Sequence, residues 1–208
     1  GDVEATDKFS VGGWLMLRAK PGGGVRTGTG SGSLLSRMGD ESRKGGAGWD
    51  LYQDGGQFIV NLNAVIEEPA ENTGELAAKA PGAGLSAAAV AEAAATIDPR
   101  AQKAPTAVRG IQVATRGTFP RDEWMHVFFT YNGSRRASGV KIYVNGKAVE
   151  TDVKLDALAS KDSIRTDAEM HLGRRDDYQP MRETRFQDVR FYQRLLPPAE
   201  VARLPFED

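Results

Sequence analysis

The chain has 208 residues, of which 40% are hydrophobic and 26% charged, so it can bury a core, and one large domain is its simplest organisation. Its 27 Lys and Arg balance 28 Asp and Glu, and a formal net charge of -1 excludes a global field that would recruit nucleic acid or an anionic membrane. With 0 Cys, disulfides, thiolate metal sites and cysteine nucleophiles are excluded, and no apolar run approaches the ~20 residues of a membrane-inserted helix.

Short β-branched or aromatic runs bounded by turn residues recur along the chain and predict strands. In chain order these runs are residues 9–17, 33–38, 49–53, 57–63, 110–115, 123–131, 140–144, 169–172 and 184–192. Asp54-Gly55-Gly56 and Asn145-Gly146 supply the residues of tight hairpins, the second leading to a short strand at Ala148-Val149. Many short strands joined by tight turns are typical of an all-β sandwich or barrel.

The run at residues 123–131 is apolar on both of its faces, which predicts a strand in the middle of its sheet. The run at residues 184–192 alternates apolar and polar side chains, as expected for a strand that is buried on one face. From these patterns we predict a core between two sheets that contains Val127, Phe129, Ile142, Val144, Val189 and Phe191.

Two segments interrupt the strand pattern. Residues 20–32 are rich in Gly, Ser and Thr and indicate a flexible loop. Residues 64–107 are rich in Ala and Pro, and Ser86 is placed to cap a short helix over residues 87–97 that Asp98-Pro99 would end. We interpret residues 64–107 as an insertion between strands, partly helical and exposed to solvent; a lid over a binding face is the alternative.

Three stretches resemble one known family. Phe9 to Trp14 is similar to its opening strand, in which a Phe and a Trp are core anchors, so the resemblance adds Trp14 to the predicted core. Residues 122–133 with Lys141 to Gly146 match its "W-x-H-V-x-x-T-Y-(D/N)-G" and "lyvdG" segments. Leu172-Gly173-Arg174 and residues 186–201 are similar to its closing hairpin and short terminal helix. Together, and in this order, they resemble the laminin G-like and pentraxin-like branch of the concanavalin A-like lectin/glucanase superfamily.

The resemblance covers nearly the whole chain, and it implies one domain over residues 1–208. The implied fold is a two-sheet antiparallel jelly-roll sandwich with the Ala-rich insertion and a short C-terminal helix. The chain also looks like the version of this domain found inside large planctomycete multidomain surface proteins. That likeness implies an extracytoplasmic location, with neighbouring domains of a longer chain among its partners.

Calcium is a frequent cofactor of this family, held by oxygen ligands on loops at the edge of the sandwich. Asp176-Asp177 and Asp40-Glu41 are adjacent carboxylates on predicted loops, but such pairs are more often simply solvated. The sequence also departs from the family pattern at Gln187, where an Asp is usual, and at Pro197, where a Ser cap is usual. Calcium therefore stays a candidate cofactor to which no residue is assigned.

Catalytic patterns are weak in this sequence. Glycoside hydrolases of this fold need two carboxylates facing one cleft, in an E-x-D-x-x-E type of spacing, and Glu183 to Asp188 has a different spacing. The two histidines, His126 and His171, are far apart, and His126 lies inside an apolar strand. We therefore predict that the protein is not an enzyme, with glycoside hydrolysis as the least favoured function.

Sugar recognition usually combines an aromatic platform with neighbouring amides or carboxylates, because a pyranose has an apolar face and a rim of hydroxyls. Strand alternation puts Trp49 and Tyr52 on opposite faces, so at most one of the two joins a pair of asparagines that share one face. From these residue types we predict a carbohydrate site on the hairpin, formed by Trp49, Tyr52, Asn61 and Asn63.

Two functions remain open at this stage. The first is a non-catalytic module that recognises carbohydrate or glycan within a larger extracytoplasmic protein. The second is a structural or protein-interaction domain that positions its neighbours. Nucleic acid is not expected as a partner, because the charges balance.

Overall fold

The structure is a computed structural model that describes residues 2–18, 31–39, 46–64, 109–175, 181 and 184–207. The chain divides into two units, one of Gly1–Ile66 with Val108–Asp208 and one of Glu67–Ala107. The second unit lies wholly outside the described residues, as do the predicted helix at 87–97 and most of the glycine-rich segment. Across the described ranges, every helix is too short or too polar to traverse a bilayer.

The described residues form two antiparallel sheets, as the sequence predicts for a jelly-roll sandwich. The strands are β1 (Phe9–Leu17), β2 (Gly32–Met38), β3 (Gly48–Asp54), β4 (Gln57–Asn63), β5 (Gly110–Thr115), β6 (Met125–Tyr131), β7 (Val140–Val144), β8 (Lys147–Ala148), β9 (Thr151–Asp156), β10 (His171–Leu172) and β11 (Thr184–Tyr192). One sheet has the order β11-β1-β6-β7-β8 and the other β10-β2-β3-β4-β5-β9. Helix α1 (Pro198–Val201) is the predicted short C-terminal helix, and 3-10 turns lie at Ala137–Gly139 and Leu204–Phe206.

Most predicted strands are present at or near their expected bounds, and β6 lies in the middle of its sheet as predicted. Strand β9 was not predicted. Its sequence Thr-Asp-Val-Lys-Leu-Asp is mostly polar, and Val153 is 57% exposed. Because β9 is an edge strand, hydrogen bonding to the backbone of β5 holds it rather than burial of its side chains.

The core lies between the two sheets and is rich in aromatic side chains. On β1 the inward residues are Phe9, Val11, Leu15 and Leu17, which alternate with residues on the outer face. The Phe9 ring lies 5.8 Å from Trp49 and 5.7 Å from Phe129, measured between centroids. The predicted core residues Val127, Phe129, Ile142 and Val144 are buried here, and Val189 and Phe191 pack against them partly buried.

Trp14 was predicted to belong to this core, and that prediction is wrong. It lies an odd number of residues from Phe9 and from Leu15, so the alternation of β1 turns its side chain to the outer face. There the Trp14 indole contacts the His126 imidazole edge to face, with centroids 5.6 Å apart.

A second, smaller apolar cluster covers part of the outer face of the five-stranded sheet. Phe128 and Tyr143 of that sheet pack against Leu196, Val201 and Leu204 of the C-terminal segment. Ser10 fixes the start of this segment, because its hydroxyl donates to the Arg194 carbonyl oxygen at 2.9 Å and accepts from the Leu196 amide at 3.0 Å. The C-terminal segment therefore buries part of the outer face, around Phe128 and Tyr143.

The ends of β4 and β5 lie side by side, although 46 residues separate them in the sequence. Asn63 is opposite Gly110, and the Ala64 amide donates to the Arg109 carbonyl oxygen at 3.1 Å. Ala64 is itself buried in the core, so the sandwich extends one residue into the predicted insertion. The rest of the predicted insertion lies outside the described residues.

Replacing residues 65–108 by a short Gly/Ser turn should leave a folded domain that melts cooperatively. The two flanking strands are already neighbours, so a hairpin turn can join Ala64 to Arg109 without moving either strand. Thermal unfolding followed by far-UV circular dichroism tests this expectation. A deletion variant that has no cooperative transition would mean that residues 65–108 are part of the fold.

His126 should make the stability of the domain depend on pH. Burial lowers the pKa of its imidazole from 6.5 to about 4, with Asp188 opposing this shift and Arg190 adding to it. Between these two pH values the unfolded chain binds a proton that the folded chain does not, so stability falls as the pH drops from 6.5 to 4. The loss from this one group is up to about 3 kcal/mol.

The matched variant for this measurement is His126→Phe, which keeps a ring between Trp14 and Phe128. Urea unfolding at pH 7, 6, 5 and 4 should give a steeper loss of free energy of unfolding for the wild type than for the variant. Parallel pH profiles for the two proteins would mean that His126 is protonated in the folded state as easily as in the unfolded chain.

Candidate functional site

The predicted sugar-binding residues lie on β3 and β4, but they do not share a face. Trp49 faces the core, is 1% exposed and contacts Phe9, Phe129 and Phe191. Its assignment to a sugar platform is therefore corrected, because its ring is part of the sandwich interior. Tyr52 lies on the opposite, outer face, and the pairing of Asp50 with Asn61 and of Tyr52 with Ile59 puts both asparagines on that same face.

A hydrogen-bonded group, here called the Asp50 cluster, occupies the middle of this outer face. The Asp50 carboxylate, 0% exposed, accepts from the Asn61 side-chain amide at 2.7 Å, and Asn61 in turn accepts from Gln112 at 2.8 Å. The other carboxylate oxygen of Asp50 accepts from Nε and Nη2 of Arg175 at 3.0 and 2.8 Å. The cluster comprises Asp50, Tyr52, Asn61, Gln112 and Arg175.

The chain after β10 brings Arg175 over the sheet. Gly173 adopts a positive φ of 71°, and its amide donates to the Leu34 carbonyl oxygen at 2.8 Å. The Ser36 hydroxyl donates to the Arg174 carbonyl oxygen at 3.0 Å. These two bonds tie the turn to β2, and the Arg175 guanidinium then lies 5.2 Å from the centroid of the Tyr52 ring, within the range of a cation–π contact.

Two opposing effects act on the Asp50 carboxyl. Burial raises its pKa above the ordinary value, while the Arg175 charge and the hydrogen bonds from Asn61, Arg175 and Ser33 favour the ionised form and oppose this increase. The Asp50 cluster is thus held by a buried ion pair whose partners are both hydrogen-bonded. Such a pair fixes the orientation of Asn61 and Arg175 more than it adds stability.

The rim of the cluster is partly exposed and polar. Tyr52, Asn63 and Gln112 are partly exposed, as are Ile59, His171 and Arg175 around them. The Asn63 side-chain amide contacts the Met38 sulfur at 3.8 Å. This face therefore offers amide donors and acceptors and one phenol around a rigid centre, which is suited to hydrogen bonding with a ligand that is rich in hydroxyls.

A metal centre is not indicated within the described ranges, where no three His, Asp or Glu side chains gather closely enough to hold an ion. The adjacent carboxylates Asp40-Glu41 and Asp176-Asp177, named above for calcium, lie outside those ranges. Both oxygens of Asp50 are already engaged by Arg175 and Asn61, which is typical of a structural carboxylate rather than of a nucleophile or general acid.

Sequence reasoning missed Gln112 and Arg175. Gln112 lies between the buried residues Ile111 and Val113 of β5, so a polar residue in an alternating apolar strand was the available signal. Arg175 had no such signal, because its partner Asp50 is 125 residues away in the sequence.

A known family model matches this chain. The Laminin_G_3 family model, described as belonging to the concanavalin A-like lectin/glucanases superfamily, matches residues 82–202. That range is more than half of the chain. A sequence search of curated proteins finds no match.

Solved structures with a similar fold include two toxin binding domains and one enzyme. The binding domain of botulinum neurotoxin serotype G is similar over 99% of this chain, with a TM-score of 0.56 and 14% identity. The binding domain of Paraclostridial Mosquitocidal Protein 1 is similar over 98%, with a TM-score of 0.56 and 14% identity. Trypanosoma rangeli sialidase is similar over 96% of this chain, with a TM-score of 0.52 and 16% identity. The chain spans 37%, 38% and 23% of these three structures, and the likeness is one of fold.

Proposed function

Because this chain belongs to the Laminin_G_3 family of the concanavalin A-like lectin/glucanases superfamily, we propose that it is a non-catalytic module that binds carbohydrate on the outer face of its six-stranded sheet. The ligand would contact Tyr52, Asn63 and Gln112 around the fixed Asp50–Arg175 centre. Domains of the laminin G-like type are typical of extracellular proteins, which supports an extracytoplasmic location.

One observation carries the proposal: the buried Asp50 carboxylate holds Asn61 and Arg175 in fixed positions on a surface whose rim is polar and partly exposed. A preorganised set of hydrogen-bonding groups loses little conformational entropy when it binds a ligand. The proposal is also supported by the fold likeness to structures that are themselves described as toxin binding domains.

A glycan array probed with the purified chain, with and without calcium, tests this function. We expect binding to at least one glycan class. Asn63→Ala and Gln112→Ala should each weaken that binding by about tenfold or more, because each removes a side chain that can hydrogen-bond to a hydroxyl. Gln193→Ala is the matched control, since it removes an exposed amide from the C-terminal segment, away from this face.

The outcomes separate two functions. Binding that Asn63→Ala and Gln112→Ala leave unchanged would place the sugar elsewhere on the molecule. An array that is silent in both conditions would contradict carbohydrate recognition and favour a structural or protein-interaction domain. A signal seen only with calcium would make calcium part of the site.

A further inference from the structure

The outer face of the five-stranded sheet carries a patch that the C-terminal segment leaves uncovered, here called the Trp14 patch. On β1, Trp14 is paired with His126 on one side and Gln187 on the other, and Met16 is paired with Arg185. The register of β1 and β6 ends with Leu15 opposite Met125, and Trp124 is the residue just before β6, so the same register carried one residue further brings Trp124 next to Met16. The patch thus has two rows across the strands, formed by Arg185, Met16 and Trp124 and by Gln187, Trp14 and His126.

The middle of the Trp14 patch is aromatic. Trp124 is 41% exposed and Trp14 is partly exposed, whereas the third tryptophan of the chain, Trp49, is in the core. Met16 between them is 7% exposed. Residues in diagonal positions on neighbouring strands have Cα atoms ~7–8 Å apart, so the two indoles can offer one continuous apolar surface. An indole surface of this size matches the apolar face of a pyranose ring.

One side of the patch is polar and carries a positive charge. Arg185 and Gln187 are both exposed on β11, on the same face as the two indoles. The next arginine of that strand, Arg190, already pairs with Asp188 at 2.8 Å and with Glu207 at 3.3 Å. In the described part of the chain no ion pair engages Arg185. The patch therefore combines apolar rings with one guanidinium that forms no ion pair with any carboxylate among the described residues.

We propose that the Trp14 patch is a second binding site and that it takes a sugar unit bearing a carboxylate, such as a uronic acid residue of a polysaccharide. The pyranose ring lies against Trp14 and Trp124, the carboxylate pairs with Arg185, and the Gln187 amide bonds to ring hydroxyls. A guanidinium favours a carboxylate because it donates two parallel hydrogen bonds to it. The site is independent of the Asp50 cluster, since it lies on the other sheet.

Affinity electrophoresis in gels containing polygalacturonate tests the proposal, with fully methyl-esterified pectin as the matched ligand. Esterification keeps the pyranose rings and removes the charge, so the wild type should be retarded strongly by polygalacturonate and much less by pectin. Trp124→Ala and Arg185→Gln should each weaken binding about tenfold or more. Retardation should also decrease with added salt, because the carboxylate–guanidinium pair is exposed.

Two control variants match the two substitutions. Phe206→Ala removes an aromatic ring that is 83% exposed, and Arg136→Gln removes an exposed guanidinium from the turn after β6. Both should bind like the wild type, and circular dichroism melting should be the same for all four variants. The proposal is overturned if polygalacturonate does not retard the wild type, or if Trp124→Ala and Arg185→Gln bind as the wild type does.

Comparing the variants of the Asp50 cluster with those of the Trp14 patch shows which of the two sites binds acidic sugar. Loss of acidic-sugar binding in Asn63→Ala, with Trp124→Ala unaffected, would overturn the Trp14 site and leave the proposed function standing. Binding of acidic sugar that is lost in Trp124→Ala and Arg185→Gln and kept in Asn63→Ala would support the Trp14 site, whatever the glycan array shows for the Asp50 cluster.

Discussion

Phe129→Ala should lower the free energy of unfolding by about 3–5 kcal/mol, the usual cost of removing a phenylalanine from a packed core. Phe129 is 0% exposed and lies in the middle strand of its sheet. Its ring makes edge contacts with Phe9 at 5.7 Å and with Trp49 at 5.9 Å between centroids. Because these neighbours belong to both sheets, the cavity cannot close by a shift of one side chain.

Urea unfolding followed by circular dichroism measures this loss. The slope of the transition should not change, because the surface exposed on unfolding is nearly the same. Phe206→Ala is the control, since Phe206 is 83% exposed and its removal should change stability by less than about 0.5 kcal/mol. A loss below about 1 kcal/mol for Phe129→Ala would contradict a close-packed core between the sheets.

Arg175→Met should destabilise the domain by about 3–5 kcal/mol at pH 7, because it leaves the Asp50 carboxylate buried without its cation. Arg175 supplies two hydrogen bonds to Asp50, at 2.8 and 3.0 Å, and Asn61 alone cannot replace its charge. Arg136→Met, which changes an exposed arginine in the same way, should be close to neutral.

The pH dependence of Arg175→Met gives an independent check. Burial already raises the pKa of Asp50, and loss of the guanidinium raises it further. An acid whose pKa is higher in the folded state gains stability when the pH falls below that pKa, so the deficit of the variant should shrink as the solution is acidified. Adding Asp50→Asn should recover stability at pH 7, because the buried charge is removed. A deficit that is independent of pH would mean that Asp50 stays solvated.

Strand alternation was sufficient to predict much of the fold. The apolar faces of β6 and β7 identified Val127, Phe129, Ile142 and Val144 as core residues, and each of these is buried. The prediction for Trp14 failed because Trp14 was assigned to the core, together with Phe9, by likeness to a family segment. The two residues are five apart, and an odd separation puts them on opposite faces of a regular strand.

The candidate site was only partly accessible to the same reasoning. Counting along the hairpin already implied that no more than one of Trp49 and Tyr52 could join the asparagines, and Tyr52 is the one that does. The centre of the cluster could not be found in this way. Asp50 and Arg175 meet because a turn after β10 folds back on β2, and a contact over 125 residues leaves no local pattern in the sequence.

The position of β1 has a consequence for how the protein is made. In the five-stranded sheet β1 lies between β6 and β11, so both of its neighbours are synthesised after it, and β11 comes about 170 residues later. At a ribosomal rate of roughly 5–20 residues per second, the edge of Phe9–Leu17 that pairs with β11 stays unpaired for about 10–30 seconds. Completion of this sheet is therefore a late event in biogenesis, and a nascent chain stalled before β11 would present an apolar strand to chaperones.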